Sequence, residues 1–381
     1  MTLGGTIAGV LLAFFQAGHH PAAQEHDPCA LLRQGDLPPA PAAPAGSACR
    51  DLARLARAAE EEQARRDAAI AALGAGRCAE GRALAGLSGD TPRRPDRLLL
   101  AAEMHMTGIC APRDPRRAAR LLDAALTRDP LLPEAAVLLG ALKWSGRGTR
   151  QDRRQARRLA ETAAFLLIAR RIRAAARGLP ISGDRPRFAL LSDREINFRY
   201  FNRKLRHLRT LAQQDPPRMA RLASRRLHAR SCPLRAGALD LLRALTLLPD
   251  AHQARLLYGA ALFSESGRPR PQNWPPCHPG EPDFLRAFSL LVDEAVRANR
   301  KAMRRVVAIL KAGAVYERRD WALYYWTKHL GRLGDRAAEA EARAREARLP
   351  SSVRTLLDDW PAPDPIHPPV APFTLLRPLF P

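Results

Sequence analysis

The chain has 381 residues, 46% of them apolar and 26% charged, which is an ordinary globular composition long enough for two or three domains or one elongated array. That much apolar side chain excludes a wholly disordered polypeptide. The formal net charge is +24, and only Lys143, Lys204, Lys301, Lys311 and Lys328 among the 62 basic residues are lysines. A charge of this size bears on solubility and association rather than on fold. The arginine excess fits a polyanion-binding surface and the composition bias of a GC-rich genome equally well.

No charged side chain precedes Glu25, and the apolar run from Leu3 to Phe15 has the length of a secretory h-region. Residues 1–24 therefore read as a signal peptide or N-terminal anchor, and the mature chain is expected to be periplasmic or secreted. Two features run against cleavage: only the α-amine of Met1 is positive, and no A-x-A precedes Gln24. An uncleaved membrane tether through residues 3–17 is the alternative, although a spanning helix wants about 20 apolar residues. A buried first helix in a cytoplasmic protein is the third reading.

Residues 25–48, rich in proline and alanine, read as a linker. A long helix is expected next, with Leu52, Leu55, Ala56 and Ala59 on one apolar face, Gln63 and Arg66 interrupting it, and Ile70 and Leu73 restoring it. Gly74 and Gly76 end that helix, because glycine takes the left-handed cap conformation without a Cβ penalty.

The segments "AAEMHMTGICAPRDPRRAARLLDAA" and "GALKWSGRGTRQDRRQARRLAETA" superpose at an offset of 38 residues. Gly108 falls on Gly146, Asp114 on Asp152, Ala118 on Ala156, Leu121 on Leu159, Ala125 on Ala163 and Ala102 on Gly140. A fixed period of this length marks stacked helical units. Each matched position has a physical role: glycine closes a first helix, aspartate six residues later accepts the free N–H groups opening a second, and alanines seven apart let the two helices approach. The pattern resembles the Sel1-like branch of the tetratricopeptide repeats, and the match is good over residues 100–164. The resemblance implies an all-α fold, an α/α solenoid of helical hairpins whose faces hold partner proteins; bacterial members of the branch are often envelope proteins.

Residues 49–177 are accordingly read as N-terminal repeats, 178–235 as a basic helical connector, 236–349 as degenerate C-terminal repeats and 350–381 as a proline-rich tail. In the degenerate region Gly313, Asp320, Ala322 and Trp326 keep the order glycine, aspartate, alanine, aromatic. "LLYGAALFSESG" resembles a first helix, with "FLRAFSLLVDEAVRAN" as its partner. The tail, carrying Phe373, Leu375, Leu376 and Phe380, is expected to be disordered or laid in extended form on an apolar surface.

Six cysteines, Cys29, Cys49, Cys78, Cys110, Cys232 and Cys277, suit an oxidising compartment, and none forms C-x-x-C. Neighbour pairing predicts Cys29–Cys49, Cys78–Cys110 and Cys232–Cys277. Gly146 and Gly148 lack the Lys-Ser/Thr of a phosphate loop and read as a helix cap. Arg153, Arg154, Arg157 and Arg158 read as a solvated helix face. "FRYFNRKLRHLR" interleaves aromatic and basic residues as a single-stranded nucleic-acid site does, but Phe198, Phe201 and Leu205 are spaced for a core. No catalytic motif and no metal-ligand spacing occurs, so the chain is read as a non-enzyme without cofactor or metal. The expected function is an exported helical-repeat adaptor that binds an unidentified protein partner on the face around Leu139, Leu142 and Trp144. The competing reading is a cytosolic basic protein that binds RNA or another polyanion.

Overall fold

A computed structural model describes residues 45–87, 94–179, 186–192, 196, 198–263, 266–268, 284–313 and 320–364. Among them the fold is all-helical: α1 (Ala45–Gly74), α2 (Cys78–Leu84), α3 (Pro95–Thr107), α4 (Pro115–Arg128), α5 (Pro133–Ser145), α6 (Arg153–Ala176), α7 (Arg199–Gln214), α8 (Pro216–Arg226), α9 (Cys232–Leu245), α10 (His252–Leu262), α11 (Phe284–Ala295), α12 (Arg300–Ala312), α13 (Asp320–Arg332), α14 (Arg336–Glu346) and α15 (Ser351–Asp358). The apolar N-terminal run, Cys29 and Cys277 lie outside the described residues, as does the side chain of Cys49. No helix among the described residues is long and apolar enough to cross a membrane.

Most helices pack mainly on their neighbours in sequence, with α3 on α4, α5 on α6 and α13 on α14 as the most intimate consecutive pairs, while α9 packs on α6 as closely as α5 does and α15 packs on α13. Local chemistry explains the starts and stops. Proline opens α3, α4, α5 and α8, where a missing N–H costs nothing and φ is already helical. Gly108 (φ 87°) and Gly146 (φ 75°) close α3 and α5 in the left-handed conformation. Asp114 then accepts from the N–H groups of Arg116 and Arg117 at 2.9 and 3.0 Å, and Asp152 from that of Gln155 at 2.8 Å. The main-chain bonds that close the two turns match: Asp114 N–H donates to the His105 carbonyl and Asp152 N–H to that of Lys143, both at 2.9 Å.

The helix pairs close on small residues. Ala102, Ala118, Ala125, Ala156 and Ala163 are fully buried. A Cβ on Gly140 would stand 3.0 Å from the Phe198 ring and 3.5 Å from the Ala156 carbonyl oxygen, so α5 and α6 touch almost backbone to backbone. Gly148 is tighter still, since a Cβ there would lie 2.2 Å from the Pro115 carbonyl carbon at the start of α4. The second glycine of the Gly-x-Gly thus seats one unit's loop on the preceding unit. The leucine alignment shifts by one position: Leu159 is buried, Leu121 is only half-buried, and Leu122 is the fully buried residue of α4. Side-chain direction on a helix sets which of two adjacent leucines enters the seam.

Helix α6, 24 residues long, is buried continuously from Leu159 to Ala169. A helix apolar on all sides must be surrounded, and α5, α7 and α9 surround it. The stretch expected to be a connector therefore supplies α7, α8 and the first turn of α9 to the walls around α6. Glu161 sits in that interior, with Lys204 of α7 at 3.3 Å and the Arg226 guanidinium of α8 donating to both its oxygens at 3.1 and 3.2 Å. One buried carboxylate thereby ties three helices, and only removal of both cations would leave it uncompensated.

Two sequence expectations shift in register. Leu55 is 40% exposed and α1 buries Ala69, Ala72 and Leu73 instead, with Arg57, Ala58, Glu60 and Glu61 exposed before them. In the C-terminal region Gly313 (φ 64°) ends α12 and Asp320 begins α13, but the tight pair is the next one, where a Cβ on Gly331 would meet Glu339 backbone at 2.9 Å and Asp335 caps α14 through the Ala338 N–H. The tail opens with α15, after which Pro361 accepts from the Tyr325 hydroxyl at 3.0 Å and the Asp364 N–H reaches the Val296 carbonyl at 2.8 Å. Phe373, Leu375, Leu376 and Phe380 lie outside the described residues.

Candidate functional site

Helices α3 and α5, the first of each matched pair, share a face with one glutamate on each. Glu103 and Glu134 are both buried. Across that face runs the non-helical segment 186–192. The Leu190 N–H donates to Glu103 Oε2 at 2.7 Å and the Arg187 N–H to Glu134 Oε1 at 3.4 Å, while Arg170 Nη1 donates to the same Glu134 oxygen at 3.3 Å. Ala189 and Leu190 pack on the small cluster of Leu100, Met104 and Leu73; Phe188 and Leu191 pack on the main core. Burial holds the Glu103 carboxyl up at about 7, against the pull of the Leu190 and Ala189 N–H groups and of Arg66, with Glu134 adding to the rise. Nothing in the sequence pattern signals this. A glutamate on an apolar helix face is visible, but not the strand of chain that its oxygens receive.

At the far end of α5 the three residues proposed for a partner separate. Leu139 and Leu142 are 2% and 4% exposed and belong to the core, so neither meets solvent. Period counting places them on a face without saying whether another helix covers it, and here α6 does. Trp144 is half-buried and lies 5.2 Å from Tyr200, the rings nearly parallel at 20°, with Phe198 tilted at 5.8 Å. The guanidinium of Arg153 stands 5.7 Å from the Trp144 ring centre and that of Arg157 the same distance from Tyr200. Two stretches about 40 residues apart in sequence, the α6 arginines and "FRYFNRKLRHLR", thus meet in one aromatic and cationic surface. Within the latter, Phe198, Phe201 and Leu205 are buried, and its basic side chains Arg199, Arg203 and Arg206 face solvent.

Cys78 and Cys110 form a disulfide that ties the start of α2 to the loop after α3. Cys232 is disulfide-bonded as well, to a partner outside the described residues. Among the described residues no group of His, Cys, Asp and Glu is arranged to hold a metal ion. No known protein-family model matches the chain, and no curated protein does.

Proposed function

We propose that the chain is an α/α solenoid of Sel1/tetratricopeptide-like hairpins that serves as an adaptor for a partner protein in the bacterial cell envelope. The observation that carries this reading is the segment 186–192. The shared face of α3 and α5 holds a non-helical stretch of polypeptide through its main-chain N–H groups and its apolar side chains, which is the chemistry by which a stacked helical array holds the chain of another protein. The Cys78–Cys110 disulfide supports an oxidising compartment, as in the periplasm or outside the cell. Catalysis and cofactors have no part in this proposal.

The second reading, a cytosolic basic protein that binds RNA or another polyanion, draws on the Arg153, Trp144, Tyr200 and Arg157 cluster. One experiment separates the two. A photo-reactive amino acid replaces Arg147, exposed just beyond Trp144, and cross-linking is carried out in intact cells before fractionation. The adaptor reading expects a discrete polypeptide adduct in the envelope fraction, resistant to nuclease and lost on Trp144→Ala, with Cys78 and Cys110 oxidised. Nuclease-sensitive adducts on cytosolic protein with reduced thiols would replace it with the polyanion reading.

A further inference from the structure

The arginine run at the start of α6 is divided by helical periodicity. Arg153 and Arg157, four apart, turn to the aromatic rings. Arg154 and Arg158, also four apart and one step round the helix, turn away from them into a cleft of about 460 Å³ between the start of α6 and the start of α9. Arg230 and Ser231 line its opposite wall, and Asp152 and Gln155 its end.

Among the described residues the charges in this cleft do not cancel. Elsewhere around α6 the arginines find carboxylates: Arg170 has Glu134, Arg173 has Asp240, and Arg226 has Glu161. Arg154, Arg158 and Arg230 form no ion pair among the described residues. The one acid in the lining, Asp152, is occupied as the cap of α6 through the Gln155 N–H. Among the described residues, three arginines against one aspartate leave two positive charges without a counter-charge, matching the charge of a phosphate dianion. Ser231 stands at the N-cap of α9 and its side chain caps nothing, so its hydroxyl remains a further donor on the same wall. Guanidinium forks match phosphate oxygens two at a time. The volume lies within the range of small-molecule sites and exceeds what a bare inorganic ion needs.

We infer that the α6/α9 cleft binds a soluble phosphorylated small molecule, its phosphoryl group held by Arg154, Arg158 and Arg230 and its organic part filling the remaining space. The site is separate from the adaptor face and does not depend on that reading. Since Arg154 and Arg230 are exposed at the rim and Arg158 is half-buried behind them, binding weakens with ionic strength.

The test is calorimetric titration of the full chain with inorganic phosphate and with glycerol 3-phosphate, at constant ionic strength balanced with chloride. The expected result is saturable binding at one site, tighter for the ester. Arg158→Gln and, independently, Arg230→Gln, whose side chain is in solvent and dispensable for folding, should each weaken it by about tenfold or more. Arg157→Gln, one step round the helix, should change it by less than about twofold. No saturable binding, or equal weakening in all three variants, overturns the site. A third arm uses phosphatidylglycerol vesicles: vesicle binding that glycerol 3-phosphate does not compete away, with no response to the soluble ester, would place the phosphate in a lipid headgroup and overturn the soluble ligand.

Discussion

Helices α3 to α6 and helices α12 to α15 fill their interiors with different materials, although each brings two helices together on a glycine, Gly140 in the first and Gly331 in the second. The first region uses alanine and glycine, with Ala118, Ala125, Ala156 and Ala163 fully buried and Gly140 against the Ala156 carbonyl. The second uses rings: Trp326 and Tyr325 are the bulkiest fully buried side chains among the described residues, and Tyr325 meets Trp326 edge-on at 5.0 Å and His329 at 4.5 Å. A seam of small residues tolerates no displacement, because each backbone contact needs its alanine or glycine at one position in every unit. An aromatic core need only be filled, and several arrangements of large side chains fill the same volume. The first kind of packing leaves a period in the sequence and the second does not.

If the contrast is right, emptying the aromatic region should have the largest effect. Trp326→Ala is expected to cost roughly 3–5 kcal/mol by opening a cavity in a closed site, read by urea unfolding; a loss no greater than that of an exposed-site control would remove the idea of a filled ring core.

The two regions should also answer pH in opposite directions. The raised Glu103 carboxyl, up at about 7, keeps its proton in the folded chain where the unfolded chain has lost it. Its contribution is fully present below the ordinary glutamate value and is lost as pH rises through about 7. His329 is pushed down to about 4 by burial, then by Arg332 and Lys328, so the unfolded chain takes up a proton as pH falls below the ordinary histidine value and the folded chain does not. Its contribution is present above that value and is lost as pH falls toward about 4. Relative to wild type, Glu103→Gln should gain stability as pH rises from 5 to 7.5, and His329→Gln should lose its disadvantage as pH falls from 6.5 to 4.5. The swing is on the order of 3 kcal/mol for Glu103 and somewhat less for His329. Parallel profiles for the two variants would contradict the assignment.

Overpacking the small-residue seam comes next. Ala156→Leu should cost about 1–3 kcal/mol, whereas a conservative exchange such as Leu330→Met in the ring-lined region should cost less; thermal shifts of equal size would erase the difference between the regions. The smallest effect is expected at the surface, where Arg157→Ala gives up only its contact with the Tyr200 ring, worth about 0.5–1 kcal/mol at an exposed site. A larger loss would mean that the aromatic cluster depends on the arginine rather than merely carrying it.

Much of the N-terminal architecture was legible because it is local. A glycine that must adopt positive φ at 108 and 146, an aspartate that must cap at 114 and 152, and alanines that must vanish at 118 and 156 are demands of one turn and one contact, and they repeat every 38 residues. In the C-terminal region Gly313 and Asp320 do end one helix and begin the next, but the closer approach rests on Gly331, Gly334 and Asp335, which do not keep the spacing of the N-terminal turns. Sequence by itself determined that the chain is helical, where the first two hairpins turn, and that Cys78 is bonded to Cys110. Tertiary structure alone decided which faces stay open. Leu139 and Leu142 have the same hydropathy whether or not α6 covers them, four consecutive-looking arginines are parted into two pairs only when α7 and α9 arrive on either side, and the glutamates at 103 and 134 acquire their partners from a segment more than 50 residues away. Burial and charge pairing are properties of what lies opposite a side chain, and a linear sequence records the side chain but not its opposite.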